Sequence, residues 1–405
     1  MTPSPPRVLF LAFGELGSTV YRSQVVSVVA RMAERVPIRL VQFLSPRRFV
    51  DRRMDARFRK NLSEVDALLP EPALALWAVP GRLDPGWSAP FALRTLRSVI
   101  SDAPLVAHCR GPWAAAIGLG LRQRLPNVKV AFDCRGARPA EIRMNGGPAR
   151  LARQAATLER RAVRESDAVL CVTSALGDYL AEAYGPASGG FTVAPAGFDE
   201  RRFRFDSRAR EARRRALELG DRPLFVYSGG GDAWQGIALN AGLLRAILDA
   251  EPEAHVLGLS QDPAQVDRAL ADAGIPENRR LVRRVPFDDV PSYLCAADAA
   301  VVLREDSIVN RVASPVKFAE YQGCGLPTAV SERLGDASGY VRERRAGVVC
   351  GPDVGRAAAD LLDLARLDRA EPGRRTERAR AAAGRLSIGA NLDTLEGLYR
   401  SLIGG

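Results

Sequence analysis

The sequence predicts an α/β protein built as two parallel-sheet halves. Three observations carry this. Short apolar runs alternate with helical patterns from end to end, as parallel α/β sheets require. A length of 405 residues favours two domains over one and allows ample core. A glycine-rich junction also follows the first strand of each half: Gly14 and Gly17 in the first, Gly229, Gly230 and Gly231 in the second.

Taken in order, the first half offers strands at Val8–Ala12, Ile38–Phe43, Leu74–Val79, Leu105–His108, Val128–Phe132, Ala168–Val172 and Thr192–Ala194. Helical patterns fill most of the gaps. The segment Gly197–Leu219, rich in Arg and Asp, reads as a linker and a connecting helix. A second series follows at Leu224–Ser228, His255–Leu259, Leu281–Val285, Ala299–Leu303, Thr328–Val330 and Val348–Cys350. The expected organisation is a domain over 1–200, a second over 218–385, and a terminal helix within 386–405 that crosses back to the first. Two Rossmann-like halves of this kind bind ligands beyond the C-terminal ends of their strands, in a cleft.

Composition narrows the function classes. Hydrophobic residues make up 47% and charged residues 26%, the balance of a soluble globular protein. No apolar run reaches the ~18 to 20 residues of a membrane span. The start, MTPSPPRVLFLAFGELG, lacks a cleavable signal pattern, so a cytoplasmic location is expected. Six cysteines are scattered, mostly in or beside apolar strands, without a CxxC or Cys/His cluster. Neither zinc nor a disulfide framework is supported, and reduced core thiols are expected. The net charge of +11 admits nucleic acid, an anionic membrane surface or phosphorylated substrates as partners. Nucleic acid ranks last, because no nucleic-acid motif accompanies the charge and aromatics are only 6%.

The stretch ADAAVVLREDSIVNRVASPVKFAEYQGCGLPTAVSERLGDASGY is the most informative. A strand ends in the charged tip Arg304-Glu305-Asp306. A helix then opens at Ser314-Pro315, with Ser314 expected to cap it and Pro315 at its first position. Lys317 and Glu320 stand at i and i+3, on one face. The helix stops at Gly323-Cys324-Gly325. Free N–H groups and the positive dipole end suit an anion, with a cation and a carboxylate one turn in. That arrangement fits a nucleotide diphosphate whose ribose hydroxyls need an acceptor. The plain alternative is an ordinary strand-helix-strand unit with a surface Lys–Glu pair.

The run SPVKFAEYQGCGLPTAVS resembles the donor-site signature of GT-B sugar-nucleotide glycosyltransferases, especially the retaining family-4 (group 1) type. The resemblance implies a GT-B fold, with two Rossmann-like domains facing a central cleft, and a nucleotide-diphosphate sugar as donor. It also implies that Glu320 holds the ribose while the helix start near Ser314 faces the diphosphate. Gly229 and Gly230 fall in the second glycine-rich loop, where glycine lets a ligand approach the backbone. The chain departs from the family twice. Where members carry a basic residue and a Lys-Gly pair, it has Trp234-Gln235-Gly236, and Val312 stands eight positions before Glu320 in place of a second Glu. Lys317 and Arg304 could supply the missing positive charge, with Gln235 donating a neutral hydrogen bond.

Two histidines occur, His108 and His255. His255 lies inside an apolar strand and reads as a core or edge residue. His108 ends the strand PLVAHCRG and is expected to point into the cleft. Family-4 enzymes resemble this, with a His near the donor sugar and acceptor, where it can bond a hydroxyl or help proton transfer. The string FDCRGARPAEI resembles an acceptor-side motif of bacterial polysaccharide glycosyltransferases, which implicates Asp133, Arg135 and Glu141 beside Gly14 and Gly17. An Asp–Arg pair that merely fixes the loop is the competing reading.

No Asp-x-Asp triplet is present, so neither metal nor cofactor is expected, and helix dipoles with basic side chains would stabilise the leaving diphosphate. Around SPRRFVDRRMDARFRKNL, Arg47, Arg48, Arg52, Arg53, Arg57, Arg59 and Lys60 surround apolar positions at helical spacing. Such a helix can lie on anionic lipid, as a peripheral protein of the inner membrane face, or pack its stripe on its own sheet. The expected function is retaining transfer of a sugar to a glycan, lipid-linked or small-molecule acceptor. The alternative is a catalytically silent GT-B module that binds a nucleotide sugar or a partner protein.

Overall fold

The computed structural model describes residues 7–13, 16, 18–44, 52–79, 83–96, 100, 103–230 and 233–404, with the backbone alone at 52–57 and 233. Gly14, Gly17, Gly231, Arg47 and Arg48 therefore lie outside the described residues, as do the side chains of Arg52, Arg53 and Arg57. The chain divides into two compact units, Met1–Pro195 with Asn391–Gly405, and Ala196–Ala390.

Among the described residues of the first unit, seven parallel strands form one sheet: β1 (Arg7–Phe13), β2 (Ile38–Leu44), β3 (Leu74–Trp77), β4 (Leu105–Arg110), β5 (Val128–Cys134), β6 (Ala168–Cys171) and β7 (Phe191–Val193). Their order is β3-β2-β1-β4-β5-β6-β7. The central strands are apolar along nearly their whole length because helices cover both faces; in β1 the five residues Val8–Ala12 are all buried. The order reverses between β1 and β4, and open α/β sheets bind ligands beside such a switch point. Register there sets Phe10 beside His108, and Arg110 beside Asp133.

The second unit repeats the plan with β8 (Leu224–Ser228), β9 (His255–Leu259), β10 (Arg280–Arg283), β11 (Ala299–Val302), β12 (Thr328–Ser331) and β13 (Gly347–Cys350). Their order is β10-β9-β8-β11-β12-β13, with the switch point between β8 and β11. Apolar clusters pack on both faces of this sheet, one around Leu224, Val226 and Phe318, the other around Phe225, Leu244 and Val301. The helix Ser207–Ala216 precedes the sheet, and Asp206 caps it by accepting the Ala209 N–H at 3.0 Å.

The basic segment does form a helix, Arg52–Asp66. Its Phe58 and Val65 are buried in one apolar cluster with Phe10 and Val25, and Leu62 packs against that cluster. The described part of the stripe thus serves the protein's own core. Among the described residues no helix is long and apolar enough to cross a membrane. All six cysteines are free and buried, as their scattered placement predicts.

Candidate functional site

In the second unit, the loop after β8 meets the helix Val316–Gly323. Lys317 Nζ donates to Gln235 Oε1 at 2.5 Å and lies 5.0 Å from the centre of the Tyr227 ring. A cation over an aromatic face is attracted by the ring's negative face. Gly229 runs directly under this ammonium, and a Cβ there would collide with Nζ. The Tyr227 hydroxyl donates to Gly230 O at 2.9 Å, and the Ser228 N–H donates to the Tyr321 hydroxyl at 2.6 Å. These bonds shape the glycine loop from both sides.

Gly236 adopts φ +60°, and a Cβ there would sit 2.7 Å from Leu303 O. Only glycine fits so close an approach in the left-handed region. Asn240 then binds the two loops together. Its Nδ2 donates to Leu303 O at 2.8 Å and to Gly236 O at 2.8 Å, and its Oδ1 accepts the Leu303 N–H at 2.8 Å. The turn bearing Gln235 is thereby tied to the strand end bearing Arg304.

Glu320 is one turn into the helix and 9% exposed. Its carboxyl has no hydrogen bond or ion pair among the described residues. Burial pushes it up to about 8, with Lys317 pulling the other way. Arg304 is its counterpart. The guanidinium is also 9% exposed, donates to Asn310 Oδ1 at 3.3 Å, and leaves Nε without a partner. Burial lowers it to about 10, opposed by Tyr227. A buried acid without a hydrogen bond among the described residues, and a buried cation with one nitrogen unpartnered there, are costly to the empty protein. Both become favourable once a ligand supplies hydroxyl donors and an anion.

Ser314 does not act as expected. The helix begins at Val316 with Pro315, in extended conformation, at the capping position. Ser314 is therefore one residue too early, and its Oγ accepts the Ala196 N–H at 3.0 Å instead. Among the described residues no side chain caps this helix.

In the first unit, β4 continues two residues past the expected end, through Arg110. His108 accordingly lies inside the strand, 2% exposed, rather than at its tip. Its ring stacks on Phe10 with centroids 4.4 Å apart. Its Nδ1 shares a 2.9 Å hydrogen bond with the Tyr399 hydroxyl. Its Nε2 lies 3.3 Å from Asp133 Oδ2, close enough for an ion pair but off the line of a hydrogen bond.

Asp133 gathers further charge. Arg135 Nη1 is 3.3 Å from Oδ1, and Arg110 Nη1 is 3.7 Å from Oδ2. Burial pushes its carboxyl up, but Arg135, His108 and Arg110 outweigh burial and hold it below the usual carboxylate range. Arg135 also donates to Gln24 Oε1 at 3.0 Å. Glu141 is not part of this group. It pairs with Arg138 at 3.1 Å and packs on Gly136, where a Cβ would collide with it.

The expected donor-side residues Gly229, Gly230, Gln235, Lys317, Glu320 and Arg304 therefore lie around the loop ends of β8 and β11, while Ser314 turns elsewhere. His108, Asp133 and Arg135 meet in the first unit. Sequence reasoning missed Asn240, Tyr227, Gln24 and Tyr399, whose contacts come from other elements. His255 sits in β9 with Nδ1 3.0 Å from Glu253 O.

Comparison with known proteins agrees with this architecture. Residues 21–197 match the model of the glycosyl transferase 4-like domain. A GDP-mannose-dependent alpha-(1-6)-phosphatidylinositol monomannoside mannosyltransferase of Mycolicibacterium smegmatis is 28% identical over 215 residues, 52% of this chain. The chain spans 56% of the length of that curated relative. Among solved structures, Anabaena HepE in complex with UDP-glucose superposes with a TM-score of 0.70 at 15% identity, covering 98% of this chain and 100% of that one. A glycosyltransferase from Rickettsia africae does so with a TM-score of 0.68 at 12% identity, covering 98% and 99%. Their likeness is one of fold.

Proposed function

We propose that this chain, which has the GT-B fold and carries a match to the glycosyl transferase 4-like domain over residues 21–197, moves a sugar from a nucleotide-diphosphate donor to a glycan, lipid-linked or small-molecule acceptor, with retention and without a metal. One observation carries the reading: Glu320, without a hydrogen bond among the described residues, and Arg304, with its Nε unpartnered there, are buried near Lys317 and a side-chain-free glycine loop. Ribose hydroxyls would donate to Glu320. The diphosphate would take Lys317, Arg304 and the uncapped helix start, which stabilise the charge that grows as the sugar departs. Gln235 would orient Lys317 through Oε1 and offer its Nε2 N–H to a phosphate oxygen.

The first unit would serve the acceptor through Asp133 and Arg135, while the acceptor-side assignment of Glu141, Gly14 and Gly17 rests on the sequence alone. His108 would act there as a positioning residue, since its ring is enclosed by Phe10, Tyr399 and Asp133.

The silent-module reading keeps one observation in its favour: buried Val312 stands where family members carry a second carboxylate. A panel of nucleotide sugars, starting with GDP-mannose and UDP-glucose, separates the two. Release of free nucleoside diphosphate, dependent on acceptor, is the expected result. Tight donor binding with no release across acceptors supports the silent module.

A further inference from the structure

One surface of the first unit displays aromatic side chains that its core does not use. Trp87, in the turn Pro85–Ser88, is 60% exposed, and Phe91, in the adjoining helix Ala89–Leu96, is 69% exposed. Four positions apart on one continuous helical stretch, they share a face, while Ala89, Ala92 and Leu96 are buried. The turn is firmly held. Asp84 accepts the Gly86 N–H at 2.8 Å and Arg161 Nη1 at 3.0 Å, and a Cβ on Gly120 would lie 2.7 Å from Gly86 O. The two rings are therefore presented to solvent by an anchored element, not by a frayed one.

Exposed Leu83 extends the apolar surface. Its carbonyl accepts from Gln154 of the helix Ala149–Glu165 at 3.4 Å, and exposed Leu151 lies one turn before Gln154. Cations flank these groups. Arg150 and Arg153 stand on that helix and Arg94 follows Phe91 by three positions; all three are exposed and unpaired among the described residues. Nearby carboxylates are already neutralised, since Arg161 holds both Asp84 at 3.0 Å and Glu165 at 3.2 Å.

We infer that this face docks the protein on an anionic lipid bilayer, with Trp87 and Phe91 in the interfacial layer and Arg94, Arg150 and Arg153 at the head groups. Charge decides the occupant. A second copy meeting this patch about a two-fold axis would set the same arginines against themselves, on a chain that already carries +11. An anionic bilayer offers the opposite charge and an apolar layer together. The surface is separate from the stripe of helix Arg52–Asp66, whose described part faces inward. The inference stands without the glycosyl-transfer reading.

The test is sedimentation of the full chain with phosphatidylglycerol–phosphatidylcholine vesicles and with phosphatidylcholine alone, at low and high salt. The wild type should partition onto the anionic vesicles and be released by salt. The double variant Trp87→Ser/Phe91→Ser should lose at least about tenfold in partition. Arg94→Gln/Arg150→Gln/Arg153→Gln should lose roughly fivefold per charge on anionic vesicles only. Circular dichroism confirms that these surface variants stay folded. Indifference of the wild type to anionic vesicles at low salt, or undiminished partition of the aromatic variant, overturns the inference. So does a concentration-dependent dimer that Trp87→Ser/Phe91→Ser abolishes.

Discussion

Tyr399 and His108, 291 positions apart in the chain, share a buried hydrogen bond of 2.9 Å between the phenol oxygen and Nδ1. With Phe10 stacked on one face and Asp133 at 3.3 Å from Nε2, the imidazole is part of the wall behind Asp133. Its surroundings suit holding a carboxylate in place.

Removing the phenol oxygen tests this arrangement. Tyr399→Phe leaves the His108 nitrogen buried and unsatisfied, which should cost about 1 to 3 kcal/mol in urea unfolding. Loss of turnover at wild-type stability would instead return His108 to the reacting centre.

The proposed donor site makes a different demand. Lys317→Ala should weaken nucleotide-sugar binding by about 1.5 to 3 kcal/mol, the worth of a charge-assisted hydrogen bond, and Glu320→Gln by about 0.5 to 1.5 kcal/mol, that of a neutral one. Both variants should fold, because neither side chain belongs to the apolar clusters of the second unit. Calorimetry that finds wild-type affinity in both removes these residues from the site.

Glu320 also predicts a pH dependence. Burial raises its carboxyl to about 8 in the folded chain, against about 4.3 when exposed. The folded state therefore holds a proton that the unfolded chain has lost. Stability from this group is full at low pH and declines as pH rises from the exposed value towards about 8. Glu320→Gln abolishes the titration, so the variant should gain on the wild type between about pH 5 and pH 8, by at most roughly 1.4 kcal/mol per pH unit. Thermal melts at three pH values check the trend. A constant difference, or one that shrinks as pH rises, would sink the proposed environment of Glu320.

Metal dependence is checked by chelation. If Lys317 and Arg304 balance the diphosphate as proposed, transfer should persist in excess EDTA. Complete loss, restored by Mn²⁺ or Mg²⁺, would assign the charge stabilisation to an ion.

The outcome for each element follows from the range of the forces involved. Apolar runs, glycine junctions and the Ser-Pro helix start are local signals, and they located every strand to within a few residues. Lys317 and Glu320 were legible together because a helix brings i and i+3 onto one face whatever surrounds it. Ser314 was misjudged by a single residue of helix phase, since Pro315 could occupy either the cap or the first turn. The end of β4 was misjudged because pairing with β5 extends it to Arg110, and a partner strand is not visible in a local window.

By itself, then, the sequence determined the alternation of elements, the two sheets and the helix that carries Lys317 and Glu320. Only the tertiary structure decided that Tyr399 meets His108, that Asn240 ties the Gln235 turn to the end of β11, and that Arg304 and Glu320 are buried. The physical reason is that secondary structure answers to neighbours a few residues away, whereas burial and hydrogen-bond partners are set by elements hundreds of residues apart.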